Sequence, residues 1–238
     1  MPDKPLVSIV IPTHKGDKIL EHCLKAIEFS TYKNLEVIVI NEGLERSAQR
    51  NIGINRAKGK YLLILDSDQL ITPNLIGECV NKIGDNAGVY IPEKIITKGF
   101  FGYLRNWERQ FYTGTPIDVV RFVKKSCPLF DETMSGPEDS DWDRRIEGTR
   151  VTSINMLYHF DNIGFFKYLS KKAYYSKSMW KFSEKHPNDK CLNFWWRCLG
   201  VFIEDGKWKR CLQAPHLFVC LVALIGIRGV IYKCTSSS

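Results

Sequence analysis

The sequence predicts an α/β fold: a mostly parallel, Rossmann-like sheet with helices on both faces, followed by a helical C-terminal region. Three observations point there. Short β-branched runs alternate with helically spaced segments over the first third of the 238 residues. Those runs are nearly continuous in apolar residues, as strands covered on both faces require. The basic, aromatic and long apolar stretches all come late, within residues 166–238.

Residues 6–11 form the first β-branched run, closed by Pro12, and residues 19–29 then place Leu20, Leu24 and Ile27 on one helical face. Residues 35–40 make a second buried strand and residues 47–57 a second helix, ended at Gly59. Residues 61–65 make a third strand that runs into Asp66. This βαβαβ order implies a parallel sheet with its ligand crevice at the carboxyl ends of the strands, where Pro12, Asn41 and Asp66 fall. Thr72, Pro73 and Asn74 read as a cap and first-turn proline opening a helix over residues 75–83. Residues 89–91 and 118–123 are further strands, and residues 137–146, which open with acidic side chains, form another helix. Residues 99–112 are aromatic and charged without a clear period, which leaves them a substrate-side segment with no assigned structure.

Residues 217–227 are an uninterrupted apolar run, shorter than the roughly 20 residues of a spanning helix. Arg228 follows it, Lys207, Lys209 and Arg210 precede it, and Trp195, Trp196 and Trp208 are near in sequence. That setting fits an interfacial helix or a re-entrant hairpin, with a buried core helix as the alternative.

A 44% hydrophobic composition supports one substantial core plus an appendage, here divided as residues 1–165 and 166–238. Within the first unit the donor-binding half covers about residues 1–70 and the acceptor half about 71–165. The formal charge of +8 lies mostly in the C-terminal stretch, which argues against a nucleic-acid surface spread over the fold. Eight scattered cysteines without a C-x-x-C pair read as reduced thiols rather than zinc ligands. Residues 1–5 lead straight into a strand without an apolar leader, which predicts a cytosolic setting.

Asp66 and Asp68 flank Ser67 at a strand end. Two carboxylates so spaced can bind Mn²⁺ or Mg²⁺ through one and a ribose or metal-bound water through the other, or Asp68 can simply shape the turn. Glu138, Asp139 and Asp141 open a helix, where the helix dipole favours each by only about 0.3–1 kcal/mol. That small gain does not account for so many carboxylates sharing one loop.

Four blocks in order carry a resemblance. They are VSIVIPT at residues 7–13; Arg50, Asn51 and Gly53 followed by LLILDSD; Phe130, Asp131 and Glu132; and Glu138, Asp139, Asp141, Trp142 and Arg145. Over residues 6–161 the chain resembles the family-2 glycosyltransferases, which implies a GT-A fold and transfer with inversion. Residues 90–175 are similar to a membrane-associated, non-processive branch of that family. The carriers are Ile91 to Glu93, the pair Glu108 and Arg109, the pair Arg121 and Phe122, and His159.

The resemblance implies a nucleotide-diphospho-sugar donor held by Pro12, Thr13, His14, Glu42, Arg50, Asn51, Asp66, Ser67 and Asp68. Glu42 would accept a hydrogen bond from the base, and Arg50 would meet the diphosphate or orient the carboxylates. Mn²⁺ or Mg²⁺ would sit on Asp66 and Asp68, with His159 either a third ligand or a hydrogen-bonded structural histidine. Asp139 corresponds to the catalytic base, flanked by Glu138, with Arg145 holding the loop and Glu108, Asp141 and Trp142 on the acceptor side. The expected acceptor is a lipid-linked glycan, at the cytoplasmic face of a membrane reached through the C-terminal region.

The chain departs from the family pattern in three places. Asn41 and Glu42 replace paired aspartates, the connection from Glu42 to Arg50 is short, and Pro128 and Leu129 replace Gly-Gly. The base is therefore open between uracil and guanine. NFWWR at residues 193–197 replaces the Q-x-x-R-W of processive synthases. A noncatalytic GT-A-like membrane-binding module is the competing reading; a nucleotidyltransferase would need a glycine-rich phosphate loop after Ile11, which is lacking.

Overall fold

The computed structural model describes residues 4–236. Residues 1–3 of the expected leaderless start and residues 237–238 of the C-terminal region lie outside the described residues.

A six-stranded sheet runs in the order β2 (Leu35–Ile40), β1 (Val7–Pro12), β3 (Tyr61–Ile64), β7 (Phe122–Lys124), β5 (Gly88–Tyr90), β8 (Arg150–Thr152). Only β7 is antiparallel to its neighbours, so the sheet is mostly parallel, as the βαβαβ order predicts. All six residues of β1 are buried, which explains its continuous β-branched sequence. Helix α1 (Leu20–Glu28) and helix α3 (Leu75–Ile83) cover one face through Cys23, Ile27, Leu75, Ile76 and Cys79. Helix α2 (Arg46–Arg56) covers the other. Its Gly53 sits so close to β1 that a Cβ there would lie 2.2 Å from a Val10 methyl, and this approach carries Arg50 over the carboxyl end of the sheet.

Strand β2 departs from expectation: it is an edge strand, with Val37 and Val39 about 40% exposed. The short connection into α2 leaves no chain to form a strand beyond it. The start of α3 differs too, because Thr72 donates its hydroxyl to the Met156 carbonyl at 3.1 Å and Asn74 takes the cap position without a side-chain cap bond.

Residues without an assignment from sequence form α4 (Gly99–Arg109), and a second, three-stranded sheet is ordered β4 (Gln69–Ile71), β9 (Leu157–Phe160), β6 (Glu93–Ile96). In its register Gln69 faces His159, which puts His159 beside the residue that follows Asp68. Helix α5 (Glu138–Arg145) presents the acidic block, and α6 (Phe165–Ser176) and α7 (Met179–Lys185) follow β9.

The remaining chain folds through α8 (Val201–Ile203) and α9 (Trp208–Gln213) into α10 (Pro215–Ser236), a single 22-residue helix. The hairpin alternative is thereby corrected: the helix continues through Arg228 because the Glu108 carboxylate neutralises that charge at 2.6 Å. Leu217, Leu221, Leu224 and Ile225 pack with Leu104, Trp107 and Tyr168, while Val219, Val222, Ile227 and Val230 face outward. Among the described residues α10 is the one helix long and apolar enough to cross a membrane, yet one of its sides is core.

Candidate active site

The carboxyl ends of β1 and β3 meet in a crevice. Thr13 donates to Asp17 Oδ2 at 3.1 Å, and Ser67 donates to the same oxygen. Burial would raise the Asp17 carboxyl, but bonds from Ser67, the Ile19 amide and Thr13 outweigh it and lower it. Asp17 thus ties the two strand-end loops together; it was invisible in the sequence because nothing marks a loop aspartate as a brace. Pro12 is the last residue of β1, and the Thr13 carbonyl accepts from Gln49 at 2.9 Å. His14 and Glu42 stand exposed at the rim, Glu42 paired with Arg56 at 2.5 Å.

Arg50 is the hub. It is 1% exposed, and it reaches Asp66 at 2.9 Å with one nitrogen while the other contacts Asp139 and approaches Glu138 at 3.9 Å. One guanidinium fork therefore joins the strand-end carboxylate to the acidic helix 73 positions later. Burial would raise the Asp66 carboxyl, but Arg50, Arg121 and Arg46 overcome it and hold it well below the usual range. Burial, and next the Asp139 charge, push Glu138 upward; Arg46 answers at 3.1 Å and also bonds the Tyr175 hydroxyl. Helix α6 lies close over this loop: at Gly136, with φ of 116°, a Cβ would sit 2.5 Å from Tyr175 Cβ, so both conformation and space demand glycine.

A second network uses the branch motifs. Glu93 accepts from His159 Nδ1 at 2.7 Å and Arg121 at 3.3 Å and forms an ion pair with Arg109 at 3.4 Å. Arg109 also pairs with Asp118 at 2.8 Å, Arg121 lies 3.7 Å from Asp66, and His159 Nε2 meets Asp68 at 3.1 Å. Burial opposes charge on Glu93, but Arg109, the His159 bond and Arg121 hold its carboxyl well below the ordinary value. Burial likewise opposes a charged His159, yet bonds to Asp68 and Glu93 push it up to about 10. All four scattered motifs thus join one network around the two strand-end aspartates, which Arg121 and His159 touch directly.

Four residues lie elsewhere than expected. Asn51 is buried and exchanges bonds with the Phe130 backbone at 2.7 and 3.0 Å, bracing α2 against the acidic loop instead of facing the donor. Trp142 stacks on Phe130 at 4.4 Å and donates to the Pro128 carbonyl. Asp141 is fully buried between Arg145 at 2.8 Å and His186 at 3.0 Å. Glu108 is buried against Tyr112 and Arg228. Trp142, Asp141 and Glu108 are buried within the framework rather than set on an open acceptor face; their residue types were legible in the sequence, their burial was not.

The donor set can be tested against a divalent cation. Asp66 is committed to Arg50 and Arg121 and does not fit as a free ligand. Asp68 fits: its side chain is 39% exposed, while its Oδ1 is buried and without a hydrogen-bond partner. His159, with Nδ1 on a carboxylate, has the arrangement that orients metal-binding imidazoles, but Nε2 must first lose its proton. Among the described residues no three such groups are already gathered at one point.

The His159 pairing has a pH signature. A folded value raised from 6.5 to about 10 gives stability that is full below about pH 6.5 and is lost as pH rises toward 10. In EDTA, wild-type Tm should therefore fall across that window relative to His159→Gln by at least about 2–4 °C, the equivalent of roughly 1 kcal/mol at this size. Parallel Tm curves for the two proteins would refute the charged pairing.

Residues 41–135 match the model of glycosyl transferase family 2. An uncharacterized glycosyltransferase of Rickettsia bellii is 27% identical over 86% of this chain, which spans 35% of that relative's length. Among solved structures, the mannosyltransferase PcManGT from Pyrobaculum calidifontis, in complex with GDP-Man and Mn²⁺, superposes with a TM-score of 0.57 at 15% identity, covering 99% of this chain and 76% of that one. S. aureus TarS 1-349 in complex with UDP-GlcNAc gives 0.51 at 14% identity, covering 97% and 89%. At such identities the likeness is one of fold, the GT-A fold. With that fold, the match of residues 41–135 to the family model and relatives named as glycosyltransferases, the chain is similar to the family-2 glycosyltransferases.

Proposed function

We propose that the chain transfers a sugar from a nucleotide-diphospho-sugar to an acceptor hydroxyl with inversion. The observation that carries this reading is the Arg50 fork, which holds Asp66 of the strand end and Asp139 of the acidic helix at one crevice. Asp139 keeps 31% of its side chain open, so it can meet an acceptor hydroxyl that its buried neighbours Glu138 and Asp141 cannot. In the reaction Asp139 takes the acceptor proton as the hydroxyl oxygen attacks the anomeric carbon from the face opposite the leaving diphosphate. Arg50 and Arg46 supply fixed positive charge beside the departing group, and Asp66 orients the ribose. Asp68 and a deprotonated His159, oriented by Glu93, would hold Mn²⁺ or Mg²⁺, whose charge stabilises the leaving nucleotide diphosphate. The fold neighbours bind one guanine and one uracil donor, and exposed Glu42 can accept from either base.

The acceptor we propose is a lipid-linked glycan at the cytoplasmic face of a membrane, supported by the outward apolar side of α10 and the basic stretch before it. Metal-dependent release of nucleotide diphosphate from a panel of UDP- and GDP-sugars tests the reading. Asp68→Ala should abolish the Mn²⁺-dependent part of donor binding in calorimetry, with Tm lower by no more than about 2–4 °C from the lost pairing with His159. Unchanged donor affinity with and without EDTA would remove Asp68 from the site, and absence of any nucleotide release would favour the noncatalytic binding module.

A further inference from the structure

With Glu108, Asp141 and Trp142 buried, the surface that meets the acceptor must be sought beside Asp139, whose side chain is open while those of Glu138 and Asp141 are closed off. The end of α6 bounds the crevice there. Tyr175 packs against Gly136, three residues before Asp139, and Arg46 donates to its hydroxyl at 3.1 Å. Its neighbour Tyr174 donates to Glu45 at 2.8 Å, at the cap of α2. The Tyr174 ring lies 5.8 Å from that of Tyr175 and is 45% exposed. Two tyrosines thus stand at the mouth of the crevice, fixed by their hydroxyls to the start of the helix that carries Arg50.

Cations surround these rings. Arg46, which holds Glu138, and Lys171 lie over the same Tyr175 ring, at 5.5 and 5.7 Å, and Lys177 lies 6.0 Å from the Tyr174 ring. Lys167, Lys171 and Tyr174 recur at helical spacing and are all exposed, so one stripe of α6 leads outward from the rim. No carboxylate occurs from residue 162 to residue 183. Asp161, whose carboxyl feels Lys171, is taken by Arg105 at 2.7 Å, and Glu45 is held by Tyr174. Among the described residues no ion pair involves Lys167, Lys171 or Lys177. A lysine run is ordinarily a solvated surface. This one differs because a single ring, that of Tyr175, joins it to the acidic loop. An open aromatic face flanked by cations suits a ligand with an apolar side and a negative charge, the chemistry of a sugar that bears phosphate or carboxylate.

We propose that Tyr174, Lys171 and Lys177 form the acceptor subsite and that the acceptor glycan is anionic. Its sugar ring lies on Tyr174, its phosphate or carboxylate meets the two lysines, and its hydroxyl reaches Asp139. This deepens, and rests on, the reading of the chain as a glycosyltransferase. It also supplies the open acceptor face that buried Glu108, Asp141 and Trp142 do not.

The probe is a fluorescein-labelled dextran carrying phosphate monoesters, with plain dextran as the neutral control. The full chain is titrated into each by fluorescence anisotropy, with UDP and GDP present to occupy the donor crevice. Wild type should prefer the phosphorylated polymer, and Lys171→Gln with Lys177→Gln should raise its Kd about tenfold or more, as expected for loss of charge-assisted hydrogen bonds. Lys58→Gln with Lys60→Gln removes equal charge at the start of β3, the other end of the sheet, and should cost no more than about twofold in 0.15 M salt, where distant charges are screened. Tyr174→Phe keeps the ring and should retain binding, whereas Tyr174→Ala should lose it. Equal losses in the two lysine pairs would show that net charge alone draws the polymer and would overturn the subsite. Equal affinity for the two dextrans would overturn the anionic acceptor, and equal losses in Tyr174→Phe and Tyr174→Ala would overturn stacking on the ring. If the Lys171 and Lys177 double variant instead loses only its binding to phosphatidylglycerol vesicles, the surface serves a membrane and the glycan assignment falls. A wild-type chain that holds phosphorylated dextran through these residues yet releases no nucleotide from any sugar donor would sink the enzymatic reading and leave a glycan-binding surface.

Discussion

Asp139→Asn is expected to lower kcat by about 10² to 10⁴-fold, the usual contribution of a general base. Donor Kd should move by no more than about threefold, because Asn keeps an acceptor oxygen for Arg50, and Arg50 still has Asp66 at 2.9 Å and Glu138 at 3.9 Å. Asp141→Asn is the informative contrast. Its carboxylate is fully buried between Arg145 and His186, with Lys185 at 3.5 Å, so removal of its charge should lower Tm, by the equivalent of about 1–3 kcal/mol, rather than kcat of the folded fraction. From an α-linked donor the wild-type product should carry a β linkage by NMR coupling. An α-linked product, or wild-type turnover in Asp139→Asn, would refute Asp139 as the base of an inverting transfer.

Arg50→Met should be the most damaging single change to the fold of the site. It leaves Asp66, Asp139 and buried Glu138 facing one another with only Arg46 and Arg121 in reach. Removing one partner of a buried charge network costs about 3–5 kcal/mol. At this chain length that corresponds to a Tm lower by roughly 6–20 °C in calorimetry. The gap should depend on pH in a defined sense. Asp66 has a folded value held below its ordinary 3.8, so its stabilisation is complete above that pH and is lost as pH falls further. The difference between wild type and Arg50→Met should therefore be largest near neutrality and shrink below about pH 4. Arg50→Lys keeps the charge but not the two-sided fork, and should fall between them. A variant as stable as wild type at pH 7 would show that the carboxylates are not held together by this arginine.

The sheet and its chemistry-bearing edge are written in local sequence patterns. The β-branched runs of β1 and β3 and the helical spacing of α1 and α2 are local patterns with a single periodicity, so the crevice holding Thr13, Asp66 and Asp68 was legible from them. The acidic block likewise announced Asp139 by residue type. Short strands were not legible: β4, β6, β8 and β9 are three or four residues each, too few to show alternation, and they exist because pairing partners lie far away in the chain. Helix α4 was hidden because its inner side buries Glu108 beside Leu104 and Trp107, so a charge stands where the apolar period needs a hydrophobic residue. Burial decided the roles. The sequence shows that Asp139 and Asp141 are both carboxylates two positions apart, but on a helix that spacing turns one toward the crevice and the other into the core. The convergence of Glu93, Arg109, Arg121 and His159 on Asp66 and Asp68 belongs to the tertiary structure alone, since ion pairs form between side chains that nothing local in the sequence relates.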